Sequence, residues 1–525
     1  MTQDLQTDVL ILGSGIAGLT TALKLAESGV DVTIVTRETR PEVTNTLWAQ
    51  GGIILSGEGD EALLIDDILK ASGGTSNRLA AELLARRSGA ILKEVLLGKV
   101  KTPFTQGEDG ELLFTREAAH SRDRIIYNGD MTGKAIQIAL LRHLDDAVRY
   151  PTVRFLTAHT AIDLITPTHH GVEMSQRYEE HQVVGAYLWD QREGRVRKAT
   201  AKFTILATGG IGALYLHHSN AEGARGDGHA MARRAGAFMG DMEFVQFHPT
   251  TFYNRSSHRR FLVSEALRGE GGRLVNAAGE AFMSRYHPDA ELAPRDVVSR
   301  AIVDEMIRAK ADCVYLDITH KDADWLRQRF PTIYAHCLES GLDLTQSPIP
   351  VVPAAHYTCG GVRSDLQGRT NLKRLYAVGE VACTGLHGAN RLASTSLLEG
   401  VTWGYLAAED VLSQIVDTPA YDPRRVRDWE LGTEEIDLTL VSQDQMTLKQ
   451  SMWNYVGIIR SKNRLNRARA MFRELQDEVS KFYKHAVLHD ELIGLRNGIE
   501  VAHMVVDASL RNPESIGCFY LQGSE

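Results

Sequence analysis

The stretch Asp8-Val-Leu-Ile-Leu-Gly13-Ser-Gly15-Ile-Ala-Gly18 decides the fold of the first part of this chain. Its apolar run predicts a short buried strand that ends at Gly13, and the apolar residues that follow recur at helical spacing as far as Ser28-Gly29. Val32-Thr-Ile-Val35 is rich in β-branched residues and predicts a second strand. Together these residues predict a βαβ unit.

Three glycines, at positions 13, 15 and 18, stand between the predicted strand and the predicted helix. Gly13 permits a tight turn, Gly15 lets a pyrophosphate approach the backbone, and Gly18 lets the helix pack on the strand. The helix N-terminus supplies free N–H groups and a partial positive charge to phosphates. In this context the spacing predicts a bound dinucleotide, with a purely structural turn as the alternative.

The end of the second predicted strand departs from the usual dinucleotide pattern. An acidic residue is expected there to bond a ribose hydroxyl, but Thr36-Arg37 occupies the place and Glu38 comes one residue late. Either Arg37 contacts the adenosine half directly, or Glu38 reaches back to it. NADP is a further alternative, because an arginine at this position can meet a 2′-phosphate.

The rest of the chain predicts more than one domain, because 525 residues are too many for a single hydrophobic core. Further buried strands are predicted at 203–209 and 374–379, and from about residue 421 apolar residues recur at helical spacing. The predicted fold class is α/β: a Rossmann-like dinucleotide-binding domain (1–241 and 357–420), interrupted by an α+β capping domain (242–356) and followed by a C-terminal helical bundle (421–525).

Bulk properties argue against several classes of protein. A formal net charge of −9 and a pI near 6.1 argue against a general nucleic-acid binder, which needs a basic face. No apolar run approaches the roughly 20 residues that span a bilayer. The polar start of the chain is unlike a secretory signal. The cytoplasm is therefore the expected location, with neither nucleic acid nor membrane as a partner.

The cysteines argue against a metal site. Five of them are scattered along the chain without a CxxC pair: Cys313, Cys337, Cys359, Cys383 and Cys518. This pattern favours reduced thiols over zinc ligands, iron–sulfur ligands or a disulfide framework.

A series of motifs follows in a fixed order along the chain. They are Thr46-Leu-Trp-Ala-Gln50-Gly51-Gly52, Ala207-Thr-Gly-Gly210, Gly226-Asp-Gly228, Gln246-Phe-His248-Pro-Thr250, Leu267-Arg-Gly-Glu-Gly271, Ala293-Pro-Arg295-Asp296, His356-Tyr-Thr-Cys-Gly-Gly361, Gly379-Glu380 and Gly385-Leu-His-Gly-Ala-Asn-Arg391-Leu-Ala-Ser394. In type and order they resemble the flavoproteins of succinate dehydrogenases, fumarate reductases and L-aspartate oxidases. The resemblance spans nearly the whole chain and implies that the dinucleotide is FAD.

Within this superfamily the chain resembles the L-aspartate oxidases. Asn45 stands where the dehydrogenases carry the histidine that links FAD covalently, so non-covalent FAD is expected. The segments 115–121, 452–459 and 465–468 also resemble the oxidases. Three features depart from their pattern: Ala118-Ala119 replaces two glycines, Ser264 replaces a threonine, and the tail at 514–518 lacks an expected arginine and histidine.

The resemblance implies FAD-dependent oxidation of L-aspartate to iminoaspartate, the first step of de novo NAD biosynthesis through quinolinate. It implies O2 or fumarate as the electron acceptor and makes quinolinate synthase a candidate partner. One alternative is the flavoprotein subunit of a fumarate reductase or succinate dehydrogenase, which needs an iron–sulfur partner at a membrane. Another is a non-catalytic flavoprotein that acts as a binding or sensing module.

Six side chains are the candidate catalytic residues. The resemblance implies that four of them hold the substrate carboxylates: His248, His356, Arg391 and Ser264. It implies that Arg295 transfers a proton and that Glu117 meets the substrate ammonium. Each has a simpler interpretation. The histidines can be ordinary hydrogen-bonding groups, Arg295 can merely begin a helix, and Glu117 can be a solvated charge. Arg268 and Glu270 form either an internal ion pair or a part of the site.

The resemblance also implies the residues that contact FAD. Asp227 suits a ribose or ribityl hydroxyl, Glu380 suits the ribityl chain, and backbone N–H groups at 396–397 suit the pyrimidine edge of the flavin. The full predicted set is Gly13, Ser14, Gly15, Ile16, Ala17, Gly18, Arg37, Asn45, Thr46, Leu47, Trp48, Ala49, Gln50, Gly51, Gly52, Ala207, Thr208, Gly209, Asp227, Glu380, Ser396 and Leu397.

Overall fold

A computed structural model of the chain describes residues 4–57, 59–117, 119–254 and 259–523. Ala118, which the sequence singled out as a departure from the oxidase pattern, lies outside these residues. In the described part of the chain, no helix combines the length and the apolar character needed to cross a membrane.

The strands of the described residues are β1 Leu5–Leu12, β2 Val32–Val35, β3 Ile53–Ile54, β4 Phe114–Thr115, β5 Ile125–Ile126, β6 Val153–Leu156, β7 His159–Leu164, β8 Gly185–Asp190, β9 Arg195–Leu206, β10 Met239–Gly240, β11 Val245–Phe252, β12 Arg273–Val275, β13 Val314–Asp317, β14 Ile349–Thr358, β15 Gly361–Arg363, β16 Leu375–Ala377 and β17 Ala382–Cys383.

The α-helices of the same residues are α1 Ile16–Ala26, α2 Glu61–Ala71, α3 Arg78–Leu92, α4 Thr132–Leu144, α5 Pro167–His170, α6 Asp227–Arg234, α7 Glu265–Gly269, α8 Arg295–Ala309, α9 Ala323–Arg329, α10 Pro331–Glu339, α11 Thr395–Gln414, α12 Leu438–Val456, α13 Lys462–Tyr483 and α14 Asp490–Arg511.

The largest sheet contains the predicted βαβ unit. Its strands lie in the order β6-β2-β1-β9-β8-β7, and β16 pairs with the end of β9. The pairs β2–β6, β1–β2, β1–β9 and β9–β16 are parallel, whereas β7, β8 and β9 pair antiparallel. The carboxyl ends of β1, β2, β9 and β16 therefore meet at one edge, which is where ligands bind in open α/β sheets.

The glycine-rich turn after β1 matches the predicted close approaches. Gly13 has a φ of +119°, and a Cβ there would lie 2.0 Å from the carbonyl oxygen of Ala207. A Cβ at Gly18 would lie 2.2 Å from the carbonyl oxygen of Gly13. Side chains at these positions would therefore push α1 away from the strands.

A second, antiparallel sheet lies within the predicted capping region. Its strand order is β11-β14-β13-β12, and α7 to α10 pack with it around a separate apolar core. The strand β14 runs across the predicted boundary between residues 356 and 357. The division of the chain into domains remains a prediction.

The C-terminal region is helical, as its apolar periodicity predicted. The helices α12, α13 and α14 contact one another and share a core with residues of β11 and β14, including Phe247 and Tyr357. The third helix, α14, has the largest number of buried residues of the three and also contacts α6.

Candidate functional site

A large cavity opens at the edge where the carboxyl ends of the parallel strands meet. Its lining includes most of the predicted FAD-contacting residues: Gly13, Ser14, Gly15, Ile16, Ala17, Arg37, Asn45, Thr46, Trp48, Ala49, Ala207, Thr208, Gly209, Asp227, Glu380, Ser396 and Leu397. The cavity therefore follows the predicted cofactor path from the glycine-rich turn to the start of α11.

The remaining predicted contacts lie elsewhere. Gly18 lies beneath the turn, against Gly13. Leu47 is buried in the short 3-10 helix Thr46–Trp48. Residues 50–52 line a smaller neighbouring cavity. Their proposed contacts with FAD stay predictions.

The start of α1 fits a diphosphate. Gly15 precedes the helix and contributes no side-chain cap, so no side chain of its own separates the positive end of the helix from an anion in the cavity. The backbone N–H of Ile16 donates to Oγ1 of Thr46 at 3.1 Å, which joins the predicted flavin loop to the helix. This chemistry, at the edge of a parallel sheet, suits the pyrophosphate of a dinucleotide.

Asn45, which the resemblance places where the dehydrogenases carry the linking histidine, is held at both ends of its amide. Its Nδ2 donates to Oε2 of Glu380 at 3.0 Å, and its Oδ1 accepts from the backbone N–H of Ala221 at 2.9 Å. Burial raises the pKa of Glu380 to about 7, although the backbone N–H of Thr358 and the amide of Asn45 act to lower it. Asn45 thus bridges two walls of the large cavity.

The smaller cavity contains all six candidate catalytic residues. It is lined by Ala49, Gln50, Gly51, Gly52, Glu117, His248, Leu262, Ser264, Glu265, Arg295, His356, Arg391, Ser394, Ser396 and Leu397. Five of these residues also line the large cavity: Ala49, Leu262, His356, Ser396 and Leu397. A ligand in the smaller cavity therefore lies directly beside the predicted cofactor site.

Two irregularities in one strand pair place the histidines. Along β11 and β14, Gln246 pairs with Tyr357 but Phe247 pairs with Ala355, so His356 is an extra residue in the ladder. A second irregularity follows His248. Because bulges redirect the side chains beside them, the two imidazole rings approach to 5.3 Å between centroids.

Both imidazoles are neutral at pH 7. Burial, followed by Arg295, holds the pKa of His248 well below its usual range. Burial, followed by Arg391, does the same to the pKa of His356. The hydroxyl of Ser219 lies 2.8 Å from Nδ1 of His356, which leaves Nε2 for a ligand. Neutral N–H groups can donate to a carboxylate without adding charge.

Arg391 is a buried cation that is placed to receive an anion. Its guanidinium lies 4.7 Å from the centroid of the Tyr357 ring, and Nη1 donates to Oγ of Ser396 at 3.3 Å. Its Nε is buried and has no hydrogen-bond partner among the described residues. Burial lowers the pKa of Arg391, and the neighbouring Arg295 lowers it further. A bound carboxylate would satisfy both the charge and the open donor.

Arg295 is the first residue of α8 and also belongs to a buried ionic chain. Its Nε donates to Oε2 of Glu265 at 2.7 Å, and its Nη1 donates to Oε1 of Gln246 at 3.3 Å. Glu265 lies 3.6 Å from Nη2 of Arg268 on the other side. Although burial acts to raise it, Arg295 and Arg268 hold the pKa of Glu265 at about 2.

Arg268 and Glu270, which the sequence suggested as an ion pair, each pair with a different residue. Arg268 pairs with Glu265, whereas Glu270 pairs with Arg329 at 3.7 Å. The helix α7 explains the difference, because residues three apart share a helix face and residues two apart do not.

Glu117 lies in the smaller cavity, against the loop that follows Arg391. Its Oε2 accepts a hydrogen bond from Oγ of Ser394 at 2.8 Å, and a Cβ at Gly51 would lie 2.8 Å from its Oε1. Burial raises the pKa of Glu117, although Arg295 acts to lower it. The position of this side chain favours a ligand-facing role over a solvated charge. The next described residue, Ala119, has a φ of +66°, where glycine is less strained.

Several residues of the site were not singled out from the sequence. Glu265, Gln246, Ser394 and Ser219 are the groups that pair with the predicted residues. Gln246 and Ser394 lie inside the quoted motifs, and Glu265 lies between Ser264 and the Leu267 motif. The position of Gln246, Glu265 and Ser394 in or beside the motifs was the signal that could have pointed to them. Ser219 lies outside the motifs, and the sequence carried no signal for it.

Comparisons with known proteins agree with this geometry. The family described as FAD binding domain matches residues 8–397. The chain is 44% identical to L-aspartate oxidase 1 of Ralstonia nicotianae, over 98% of this chain and 94% of that protein. It is 40% identical to L-aspartate oxidase of Vibrio cholerae, over 98% and 95%. An E. coli quinol fumarate reductase FrdA mutant superimposes with a TM-score of 0.87 at 25% identity, over 99% of this chain and 92% of that chain.

These comparisons confirm the predicted resemblance, the fold class and FAD as the cofactor. The identities of 40% and 44% extend over nearly the full length of both proteins in each pair, including the C-terminal helices. The chain belongs to the FAD binding domain family and, within it, to the L-aspartate oxidases.

Proposed function

We propose that this protein oxidises L-aspartate to iminoaspartate, the first step of de novo NAD biosynthesis through quinolinate. The observation that carries the proposal is the smaller cavity, where all six candidate catalytic side chains line one space that shares walls with the cofactor cavity. The relatives that bear the name L-aspartate oxidase support the choice of substrate.

The carboxylates of the substrate are bound by four side chains. Arg391 grips one carboxylate through two N–H groups, which sets its plane as well as its position. The neutral imidazoles of His248 and His356 donate to the other, together with the hydroxyl of Ser264. The substrate is thereby held with its Cα towards the cofactor cavity, and positioning of this kind lowers the activation barrier.

When bound, FAD supplies the acceptor for the hydride that leaves Cα. The substrate ammonium must also lose a proton, because the C=N bond forms with the nitrogen lone pair. Glu117 meets this ammonium, and its raised pKa suits it to accept the proton. Arg295 transfers the proton when a dicarboxylate such as fumarate is reduced. Glu265 accepts a hydrogen bond from Nε of Arg295 and holds this guanidinium in place.

O2 or fumarate reoxidises the cofactor in this proposal, and the protein acts in the cytoplasm. Quinolinate synthase is the proposed consumer of iminoaspartate. The alternative, a subunit of a fumarate reductase or succinate dehydrogenase, is favoured by the shared fold. Asn45 in place of the linking histidine and the names of the relatives at 40% and 44% identity favour the oxidase instead.

The proposal is tested on the purified holoenzyme without oxygen. L-Aspartate is expected to bleach the visible flavin spectrum, whereas D-aspartate leaves it unchanged and succinate bleaches it far more slowly. Bleaching by succinate alone would transfer the protein to the alternative function.

FAD is expected to be released when the protein is precipitated with acid, since the amide of Asn45 cannot form the covalent link. The supernatant should be yellow and the pellet colourless, and the absorbance of the two fractions measures the outcome. Yellow colour that stays with the washed pellet would contradict the prediction.

Glu117→Gln is expected to weaken the binding of L-aspartate about tenfold or more, because a charge-assisted hydrogen bond to the ammonium is worth about 1.5–3 kcal/mol. Succinate lacks the ammonium, so its inhibition constant should stay the same or fall as a buried charge is removed. Steady-state kinetics with succinate as the competitor measures both values.

Asp123→Asn is the control for Glu117→Gln. Asp123 carries a carboxylate on the same segment, but its side chain is 64% exposed and pairs with Arg116. This variant should leave both constants unchanged. If L-aspartate and succinate lose affinity equally in Glu117→Gln, the carboxylate does not discriminate between them, and the choice of oxidase over dehydrogenase loses its main structural support.

A further inference from the structure

Asp490, the first residue of α14, lies between two arginines from distant parts of the chain. Its Oδ2 accepts from Nη1 of Arg37 and from Nη1 of Arg225, each at 2.8 Å, and its Oδ1 accepts from Nη2 of Arg225 at 2.8 Å. The hydroxyl of Thr160 donates to Oδ1 at 2.6 Å. One carboxylate thus joins the end of β2, the start of β7 and the loop before α6 to the C-terminal helices.

Arg225 connects this network to Asp227, which lines the large cavity. Its Nε donates to both carboxylate oxygens of Asp227, at 3.2 and 2.9 Å. Nδ2 of Asn497, about two turns along α14 from Asp490, donates to Oδ1 of Asp227 at 2.8 Å. A Cβ at Gly494 would lie 2.5 Å from Nη1 of Arg225, so α14 packs directly on this guanidinium.

The network borders the adenosine half of the cofactor site. Arg37, Thr160 and Asp227 line the large cavity. In a doubly wound site, the residue after the second strand meets the adenosine ribose, and Arg37 occupies that place. The flavin ring must face the smaller cavity, and the residues that line both cavities include no member of the network.

We infer that Asp490 is a positioning residue for the adenosine half of FAD and that α14 is part of the cofactor site. Asp490 holds Arg37 at the mouth of the adenosine end and, through Arg225, holds Asp227 towards the cavity. Packing of α14 and binding of FAD therefore stabilise each other. The sequence predicted only a helical bundle for this part of the chain.

The charges explain why a carboxylate is needed at this position. Although burial acts to raise it, Arg225 and Arg37 hold the pKa of Asp490 at about 2, so the group is charged at neutral pH. With an amide in its place, two largely buried guanidinium groups would lose a shared counter-ion. Arg37 would then turn towards Glu38, its other partner at 2.6 Å, and away from its present position.

The structure offers a matched control in a second buried aspartate, which lies on β7 and also pairs with an arginine of α14. Asp163 also lies between two arginines, at 2.5 Å from Nε of Arg234 and 2.9 Å from Nη1 of Arg496 on α14. The exposed fractions of the two aspartates are similar, 17% for Asp490 and 12% for Asp163. Asp163 does not line the cofactor cavity. Asp163→Asn thus tests the loss of a comparable ionic link away from the cofactor.

The experiment measures the binding of FAD, FMN and ADP to the full-length apoprotein by fluorescence and calorimetry. Asp490→Asn is expected to weaken the binding of FAD and of ADP about tenfold, which corresponds to the loss of one charge-assisted hydrogen bond. The binding of FMN should stay unchanged, because FMN has no adenosine. Asp163→Asn should leave all three unchanged. Equal weakening of FMN and ADP, or equal effects of the two variants, would overturn the inference.

Two further measurements test the inference if the Asp490→Asn variant does not fold. Hydrogen exchange of the unmodified protein should slow in residues 494–500 of α14 when FAD is added to the apoprotein, and should not change in α13. Thr160→Val removes the hydroxyl that donates to Asp490 and accepts from Nε2 of Gln191. This variant should weaken the binding of ADP but not the binding of FMN. Unchanged exchange in α14 together with unchanged ADP binding would overturn the inference.

Discussion

Replacing Arg391 with lysine is expected to lower kcat/KM for L-aspartate about 100-fold or more, although the positive charge is kept, because a two-point grip on a carboxylate becomes a single contact. The guanidinium is stacked over Tyr357 and bonded to Ser396, so its plane is set before the substrate arrives. An ammonium cannot hold both the Ser396 contact and two carboxylate oxygens. The loss should appear in KM and in kcat, measured by steady-state kinetics.

Arg460→Lys is the control for this experiment. Arg460 is also buried and also lies over an aromatic ring, with its guanidinium 5.3 Å from the centroid of Phe519, but it lies outside both cavities. This variant should lose stability without a comparable loss of kcat/KM. Near-normal kinetics of Arg391→Lys would remove Arg391 from the site.

Replacing Arg295 with leucine is expected to lower kcat for fumarate reduction about 100-fold to 10,000-fold, the range that positioned proton transfer contributes. KM for fumarate should change less than kcat, because Arg391 and the two histidines still hold the carboxylates. FAD affinity should stay the same, since Arg295 lines only the smaller cavity. Stopped-flow measurement of flavin reoxidation by fumarate reads the step directly.

The structure adds a stability effect to this variant. Leucine leaves Glu265 buried beside Arg268 alone, and breaking a buried ion pair costs about 3–5 kcal/mol. Arg295→Leu combined with Glu265→Gln should recover much of the melting temperature but none of the fumarate reduction. If Arg295→Leu reduces fumarate at close to the original rate, another residue transfers the proton.

The local pattern of the sequence was sufficient for the elements that surround the cofactor. The predicted second strand, Val32–Val35, has the same bounds in the structure, and the first strand and α1 lie where the apolar runs and glycines placed them. These signals are short in range, because a buried strand, a glycine turn and an amphipathic helix are each encoded within about 10 to 20 residues. The family motifs then pointed to six of the side chains that line the smaller cavity.

Other features depend on which distant elements meet. His248 and His356 approach each other because irregular pairing of β11 and β14 turns their side chains, and no residue pattern announces that register. The pairing of Arg295 with Glu265 arises because the starts of α7 and α8 come together.

The sequence by itself determined the dinucleotide fold, the order of the motifs, and the six candidate side chains that line the smaller cavity. The tertiary structure alone decided the partners of those residues and the contacts of α14 with Arg37, Arg225 and Asp227. Arg37 and Asp490 are separated by 453 positions along the chain, yet they share a hydrogen bond. Such a pair leaves no periodic trace, because hydrogen bonds and ion pairs depend on distance in space, whereas sequence patterns record only neighbours along one element.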